Sequence, residues 1–181
     1  MLYTATGYKL GMAAANPIQL SKAVERWEEE HASLRSKIRN LELHTKEIWL
    51  LEDPLKAYHA LRALQHATAD FVMELERHAN WEEQELFAFL QAYFGFETGP
   101  TILPSFWVLE KDHELADSFI QSFNEAMHAL TPDLASKKNV EEAASHLLQA
   151  CFILNDHITM EEHLVFPLTE QVFTAFEYFF S

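Results

Sequence analysis

Apolar residues recur along the chain at alternating spacings of three and four, the pattern of amphipathic helices that face a common core. Four such stripes can be followed. The first runs from Leu20 to Leu41 and the second from Leu61 to Phe89. The third runs from Phe106 to Leu130 and the fourth from Leu147 to Leu168. The pattern predicts an all-α fold, an up-down bundle of four helices.

Two of these helices are predicted to begin at a capping residue that is followed by proline. The pairs are Asn16-Pro17 before the first stripe and Asp53-Pro54 before the second. Asparagine and aspartate accept hydrogen bonds from the free N–H groups of a first helical turn, and proline is well tolerated at the first helical position. Both helix starts are therefore marked by the sequence.

The second half of the chain has its own boundary signals. Residues 95–104 gather glycine, proline and threonine and are predicted to connect the two halves. Asn139, with Glu142 three residues later, has the pattern of a capping box at the start of the fourth helix. That helix is predicted to end near Pro167, because the residue before a proline is pushed away from helical geometry.

A chain of 181 residues that is 49% hydrophobic can bury one core but is short for a second full domain. We therefore predict a single domain, with an N-terminal extension at residues 1–15, the bundle at 16–168 and a short helical tail at 169–181. The tail is rich in aromatic residues. They either cover one end of the bundle, which we favour, or form a homodimer interface, and they include Phe173, Phe176 and Phe180.

The charge of the chain removes two classes of partner. A formal net charge of -15 repels the phosphates of nucleic acids and anionic membrane surfaces. No apolar run is long enough to cross a bilayer. Cys151 is the single cysteine and is predicted to be a core residue, so no intramolecular disulfide is expected. A cytoplasmic location fits these features best.

Polar residues occupy core positions on all four stripes. Each stripe carries one histidine, and two stripes add a glutamate four residues later, in the related segments HANWEEQELF and HITMEEHLVF. These six residues are His31, His78, Glu82, His113, His157 and Glu161. The other histidines lie off the stripes and are predicted to be solvated: His44, His59, His66, His128, His146 and His163.

A bound cation would explain these residues. A single histidine on an apolar face is usually a hydrogen-bonded core residue, but one on each of four helices is harder to explain in that way. A buried carboxylate without a counter-charge costs several kcal/mol, and no lysine or arginine shares the stripes of Glu82 and Glu161. Residues four apart point in similar directions along a helix, so each His–Glu pair can face one pocket. Imidazole and carboxylate together suit iron, manganese or zinc.

The order of these residues resembles that of the hemerythrin-like domains of the HHE cation-binding family, from about Leu20 to Leu168. The shared pattern is one His, then His-x-x-x-Glu, then one His, then His-x-x-x-Glu, each on its own helix. The resemblance implies a four-helix bundle around a non-haem di-iron (Fe) centre, with the two glutamates bridging the metals. The implied ligands are His31, His78, Glu82, His113, His157 and Glu161.

Two positions differ from those of oxygen-carrying hemerythrins. Those proteins have another ligand histidine one turn after that of the third helix, where this chain has Asp117. They also take an aspartate, spaced one residue further on, from the fourth helix, where this chain has Glu161. The resemblance therefore implies a protein that binds iron and reacts with or senses O2, NO or peroxide, in oxidative or nitrosative stress protection or in iron-centre repair. It leaves open whether the protein is an enzyme. A non-catalytic module for iron sensing or storage is an alternative.

Several acidic residues keep two interpretations each. Asp117 either accepts a hydrogen bond from a ligand imidazole or is a surface charge. Glu85 lies either near the metals or, as we favour, where it reaches water. Glu28 and Glu110 each precede a core histidine by three residues, which matches the Glu-x-x-His element of ferritin-like di-iron oxidases. That alternative is less favoured because it leaves two core histidines unused.

Overall fold

The first half of the chain forms two long antiparallel rods. The computed structural model describes residues 17–94 and 103–180. Helix α1 spans Pro17–Ile48 and helix α2 spans Pro54–Trp81. A π-helical turn, Glu82–Phe87, joins α2 without a break to helix α3, Ala88–Phe94. The predicted N-terminal extension lies outside the described residues.

The second half adds two further rods. Helix α4 spans Leu103–Ala129 and helix α5 spans Lys137–Phe180, with a 3-10 turn at Pro132–Leu134 between them. Helix α5 packs against both α4 and α1, and α1 also packs against α2. The described residues contain no strand. The predicted all-α four-helix bundle is confirmed.

The helix starts follow the sequence signals in the first half of the chain. Pro17 and Pro54 are the first residues of α1 and α2. The side chain of Asp53 accepts hydrogen bonds from the backbone N–H groups of Leu55, at 2.9 Å, and of Lys56, at 3.4 Å. Aspartate at this position satisfies N–H groups that have no partner within the helix.

The start of α5 differs from its prediction. Ser136, and not Asn139, caps the helix: its Oγ accepts from the Asn139 N–H at 3.2 Å. Its carbonyl accepts from the Val140 N–H at 3.0 Å. The Asn139 side chain points back and donates to the Leu134 carbonyl at 3.1 Å. The predicted capping box is therefore wrong, because the helix begins earlier and places Asn139 inside its first turn.

Two apolar clusters occupy the interior. The larger cluster contains residues of α1 from Leu34 onward, of α2 up to Phe71, of α4 from Ala116 onward and of α5 up to Ile158. The smaller cluster lies nearer the other end of each rod. In each rod, a short segment lies between the two clusters. These segments contain the histidines and glutamates of the predicted metal site.

The smaller cluster contains residues of α1 up to Trp27, residues from Trp81 onward in the second rod, Leu109 of α4, and residues of α5 from Val165 onward. His31, for example, falls between the last α1 residue of this cluster and the first α1 residue of the larger cluster. The bundle therefore has a polar layer between two apolar ones.

The π-helical turn changes which side chains face the core after Glu82. A π turn holds more residues than an α turn, so the residues that follow are rotated about the helix axis. Leu86 and Leu90 are buried, whereas Glu85, which α-helical spacing would place on the same face as Glu82, is exposed. The favoured interpretation of Glu85 as a carboxylate that reaches water is confirmed.

Helix α5 continues through Pro167, so the prediction that it ends there is wrong. An internal proline removes one backbone hydrogen bond and costs about 3 kcal/mol. Val165 and Val172 are fully buried on either side of it, and burying each aliphatic side chain contributes roughly 1.5–3 kcal/mol. Pro167 itself is exposed. Packing of the continued stripe therefore offsets the local cost.

The aromatic residues at the end of α5 pack onto the bundle. Phe173 and Phe176 are partly buried against the smaller cluster, and the Phe176 ring lies 6.3 Å from that of Tyr93. This packing supports the favoured interpretation, in which these residues cover one end of the bundle. The side chain of Phe180 lies outside the described residues. In the described part of the chain, no helix has the length and apolar character that crossing a membrane would require.

Cys151 is a buried core residue, as predicted. Burial raises the pKa of its thiol to about 12, and the thiolate is the reactive form of cysteine. We expect the native protein to resist alkylation by iodoacetamide at about pH 8, close to the pKa of a free thiol, whereas protein unfolded in guanidinium should be fully alkylated. Mass spectrometry would count the modified chains, and rapid modification of the native protein would contradict the prediction.

Candidate metal centre

Two glutamates lie in the middle of the polar layer. The Glu82 and Glu161 residues are 0% and 1% exposed. The Nε2 atom of His31 lies 3.4 Å from Glu82 Oε1 and 3.3 Å from Glu161 Oε2. An imidazole of α1 thus lies between carboxylates from the second and fourth rods.

The two His-x-x-x-Glu segments bring their own side chains together, as four-residue spacing on a helix allows. His78 Nε2 lies 3.1 Å from Glu82 Oε1. His157 Nε2 lies 3.5 Å from Glu161 Oε2. The sixth candidate, His113, places its ring centroid 4.1 Å from that of His157.

The structure therefore brings all six predicted residues into one continuous group. Within it, one set of four has potential ligand atoms that all lie within 4.8 Å of one another: His31, His78, Glu82 and Glu161. His113 and His157 adjoin this set on the side of Glu161. The assignment of all six as ligands remains a prediction.

Many polar atoms of this group are buried and make no well-aligned hydrogen bond, although several histidine nitrogens lie 3.1–3.5 Å from a carboxylate oxygen. They are the Nε2 atoms of His31, His78 and His113, Nδ1 of His157, Oε2 of Glu82 and both carboxylate oxygens of Glu161. Buried polar atoms are nearly always satisfied in folded proteins, since leaving one unpaired costs on the order of 1–3 kcal/mol. Imidazole nitrogens and carboxylate oxygens are also ligands for transition metals. The donor set therefore fits a cation.

A carboxylate holds the outer nitrogen of His78. His78 Nδ1 lies 2.8 Å from Oε2 of Glu30, a residue of α1. The other oxygen of Glu30 accepts from Arg26 Nε at 2.8 Å, and the Arg26 guanidinium lies over the Trp81 ring, 4.1 Å from its centroid. When Nδ1–H donates to a carboxylate, the Nε2 lone pair faces the centre of the bundle, which is the arrangement of metal-binding histidines.

His31 has an equivalent outer partner from a different helix. Its Nδ1 lies 3.3 Å from Oε1 of Glu162, a residue of α5. Arg35 Nη2 donates to the other Glu162 oxygen at 2.7 Å and to Thr159 Oγ1 at 3.2 Å. The two histidines are thus oriented by carboxylates that arginines hold in place.

The charges in the layer shift proton affinities in opposite directions in its two halves. Burial disfavours protonation of His31, but Glu161 and Glu82 outweigh it and raise the pKa of His31 to about 9. Burial would raise the pKa of Glu161, but contacts with His157 and His31 hold it below its usual value. Burial and the neighbouring His157 lower the pKa of His113 to about 4. His113 is therefore neutral at pH 7, the form that binds metal.

The comparison with protein families agrees with this geometry. Residues 22–169 match the family described as Hemerythrin HHE cation binding domain. The chain belongs to the hemerythrin family. Comparisons with curated proteins and with solved structures gave no match. The resemblance predicted from the sequence is confirmed, and the matched segment contains all six candidate ligands of this hemerythrin-family protein.

The acidic residues with two interpretations lie mostly at the surface. Asp117 is exposed, and its Oδ2 accepts from the Gln121 amide at 2.8 Å. It is a surface charge, the second of its two interpretations. Glu28 is also exposed, which removes it from the ferritin-like ligand set. The side chain of Glu110 lies outside the described residues.

Most of the six histidines that lie off the apolar stripes are solvated, as predicted. All but one are exposed; His146 is half-buried beside the Phe119 ring. They therefore take no part in the candidate centre.

Sequence reasoning missed the residues that support the candidate ligands. Trp27 is one of them: its Nε1–H donates to Glu82 Oε1, and its ring lies 4.2 Å from that of His31. Glu30 and Glu162 are the others, and both directly neighbour a candidate ligand in sequence. Their position next to a candidate ligand did not identify them, however, because each glutamate contacts a histidine on a different helix.

Proposed function

We propose that this hemerythrin-family protein binds two iron ions through its polar layer, with the two glutamates bridging them. The observation that supports this proposal is the group of buried nitrogen and oxygen atoms that make no well-aligned hydrogen bond. The proposed ligands are His31, His78, Glu82, His113, His157 and Glu161.

The number of donors supports two ions over one. A single ion would use the compact set of four and leave the buried Nε2 of His113 and the buried ring of His157 beside it without a role. A second ion that shares the carboxylates would use both, and neither oxygen of Glu161 accepts a well-aligned hydrogen bond. Manganese or zinc would also accept these ligand types. Iron is the choice that the family resemblance favours.

The proposed function is a reaction with O2, NO or peroxide, or sensing of them, in oxidative or nitrosative stress protection or in iron-centre repair. Bound iron would supply redox chemistry and coordination positions that the protein leaves free. The chain's own residues orient the imidazoles and exclude bulk water, since apolar clusters lie on both sides of the layer. The proposal includes a cytoplasmic location. A homodimer formed through the aromatic tail is the less favoured alternative, because Phe173 and Phe176 already pack onto the bundle.

Metal content tests the first step. Protein purified from iron-replete cells should contain about two irons per chain by elemental analysis, the number that two bridged ions require. Protein carrying Glu161→Gln, purified from the same cells, should contain far less. Wild-type protein without transition metal would overturn the proposal.

Gas exposure tests the second step. Anaerobic, reduced, iron-loaded protein should change its optical spectrum when O2 or NO is added, because small ligands can enter free coordination positions. Bound iron with unchanged spectra in both gases would contradict the gas-binding function and favour the storage alternative. Metal-free protein treated in parallel is the control.

A further inference from the structure

The two halves of the bundle correspond residue by residue around the polar layer. His31 of α1 corresponds to His113 of α4, and His78 of the second rod corresponds to His157 of α5. In the first half, the residue directly before His31 is Glu30, which holds Nδ1 of His78. The residue directly before His113 is Asp112. Asp112 therefore corresponds to Glu30. Because Glu30 contacts His78, the correspondence predicts that Asp112 contacts His157.

The atoms that this correspondence would pair are both without partners. Oδ2 of Asp112 and Nδ1 of His157 are buried and accept or donate no hydrogen bond. His157 Nε2 lies beside Glu161, so Nδ1 is the nitrogen left for an outer partner. Helices α4 and α5 pack together, and the ring of His113, the neighbour of Asp112, contacts the ring of His157. A buried acceptor and a buried donor thus lie at adjoining positions of the same layer.

A second pair of glutamates occupies corresponding positions in the two halves, but only one of them contacts a histidine of the layer. Glu162, which holds His31, corresponds to Glu83, which would hold His113. Glu83 is exposed and lies within the π-helical turn, so it has left the layer. Asp112 has kept a buried oxygen. Of the two acidic residues that could contact a histidine in the second half, Asp112 is therefore the one with a buried oxygen.

We propose that Asp112 is a positioning residue for His157, whose Nδ1–H donates to the Asp112 carboxylate when a metal ion occupies the centre. This proposal rests on the proposed metal site. Aspartate is shorter than glutamate by one methylene group, so its carboxylate reaches less far than that of Glu30. The hydrogen bond would fix the His157 ring with Nε2 toward the metal, as an outer carboxylate does for metal-bound histidines.

Metal affinity is the first test. Competition with a chelator, using Fe²⁺ under anaerobic conditions, should show that Asp112→Asn weakens binding of one metal equivalent by roughly 10–100-fold, the usual effect of losing an outer partner. Asp112→Glu should rescue the affinity. Asp117→Asn, on the same helix but at an exposed position, is the matched control and should bind as wild type does. Equal affinity for the Asp112→Asn and Asp117→Asn variants would overturn the proposal.

Proton exchange is the second test, and it does not depend on a variant that folds. In ¹⁵N-labelled protein loaded with Zn²⁺, the His157 Nδ1–H should give a slowly exchanging, downfield NMR signal that Asp112→Asn removes. Exchange as fast as that of the exposed His44 ring would overturn the proposal even if every variant failed to fold. Wild-type protein that binds neither Fe²⁺ nor Zn²⁺ would overturn the proposed function as well. Metal binding without the protected proton would overturn only the role of Asp112.

Discussion

Metal-loaded protein is expected to melt roughly 8–16 °C above the metal-free protein. The candidate ligands come from all four rods, so the site exists only in the folded chain, and a ligand that binds only the native state stabilises it. At a free metal concentration of about 1,000 times Kd, the stabilisation is about 4 kcal/mol for one site. In a chain of this size, 1 kcal/mol shifts Tm by about 2–4 °C, which gives the range stated.

Thermal unfolding followed by circular dichroism would measure this difference under anaerobic conditions, with Fe²⁺ or with a chelator present. The metal-free protein should still be helical before it melts, because the two apolar clusters do not need the metal to form. Protein with Glu161→Gln should show a metal-dependent rise in Tm that is less than about half as large, because its weaker affinity leaves the site far from saturation at the same metal concentration. A wild-type Tm that is insensitive to metal would show that the polar layer is not a binding site.

The bundle and its six candidate ligands could be predicted because two periodic signals agree. Apolar residues with helical spacing define the buried face of each rod, and the histidines and glutamates fall on that same face. A buried carboxylate is costly without a partner, so its presence on an apolar stripe is informative by itself. Glu82 and Glu161 were therefore the strongest signals in the sequence, and both are almost fully buried.

The π-helical turn could not be predicted in the same way. A stripe drawn at 3.6 residues per turn continues through Glu82 to Glu85, whereas the structure rotates the helix so that Leu86 faces the core. Both stripes contain apolar residues, so the sequence did not distinguish between them. The choice depends on the neighbouring helices, which offer the smaller cluster as a surface for Leu86 and Leu90.

The outer partners of the histidines escaped prediction for a different reason. Glu30 lies on α1 but contacts His78 of α2, and Glu162 lies on α5 but contacts His31 of α1. A single sequence shows which residues share a helix face but not which helices are neighbours. Once the packing is known, both contacts follow from the position of each glutamate beside a candidate ligand.

The repeated Glu-Glu pair provides the sharpest test of the whole arrangement, because adjacent carboxylates are expected to differ strongly. Replacing Glu82 or Glu161 by glutamine keeps the side-chain volume but removes the charge that balances the cations, so metal affinity should fall more than about 100-fold, beyond the effect of losing an outer partner. Glu83→Gln should have no effect, since Glu83 is exposed. Glu162→Gln should give an intermediate loss of roughly 10–100-fold, because it releases His31 without removing a ligand.

Titration of the four variants with Fe²⁺ against a competing chelator would rank their affinities, and the order carries more information than any single value. A site made only by surface charge would weaken by similar amounts for all four, since the variants lose one charge each. A symmetric site would give Glu83 and Glu162 equal effects. In this structure, the π-helical turn exposes Glu83 to water, whereas Glu162 contacts His31. Metal affinity should therefore depend on the second glutamate of one pair and not on that of the other.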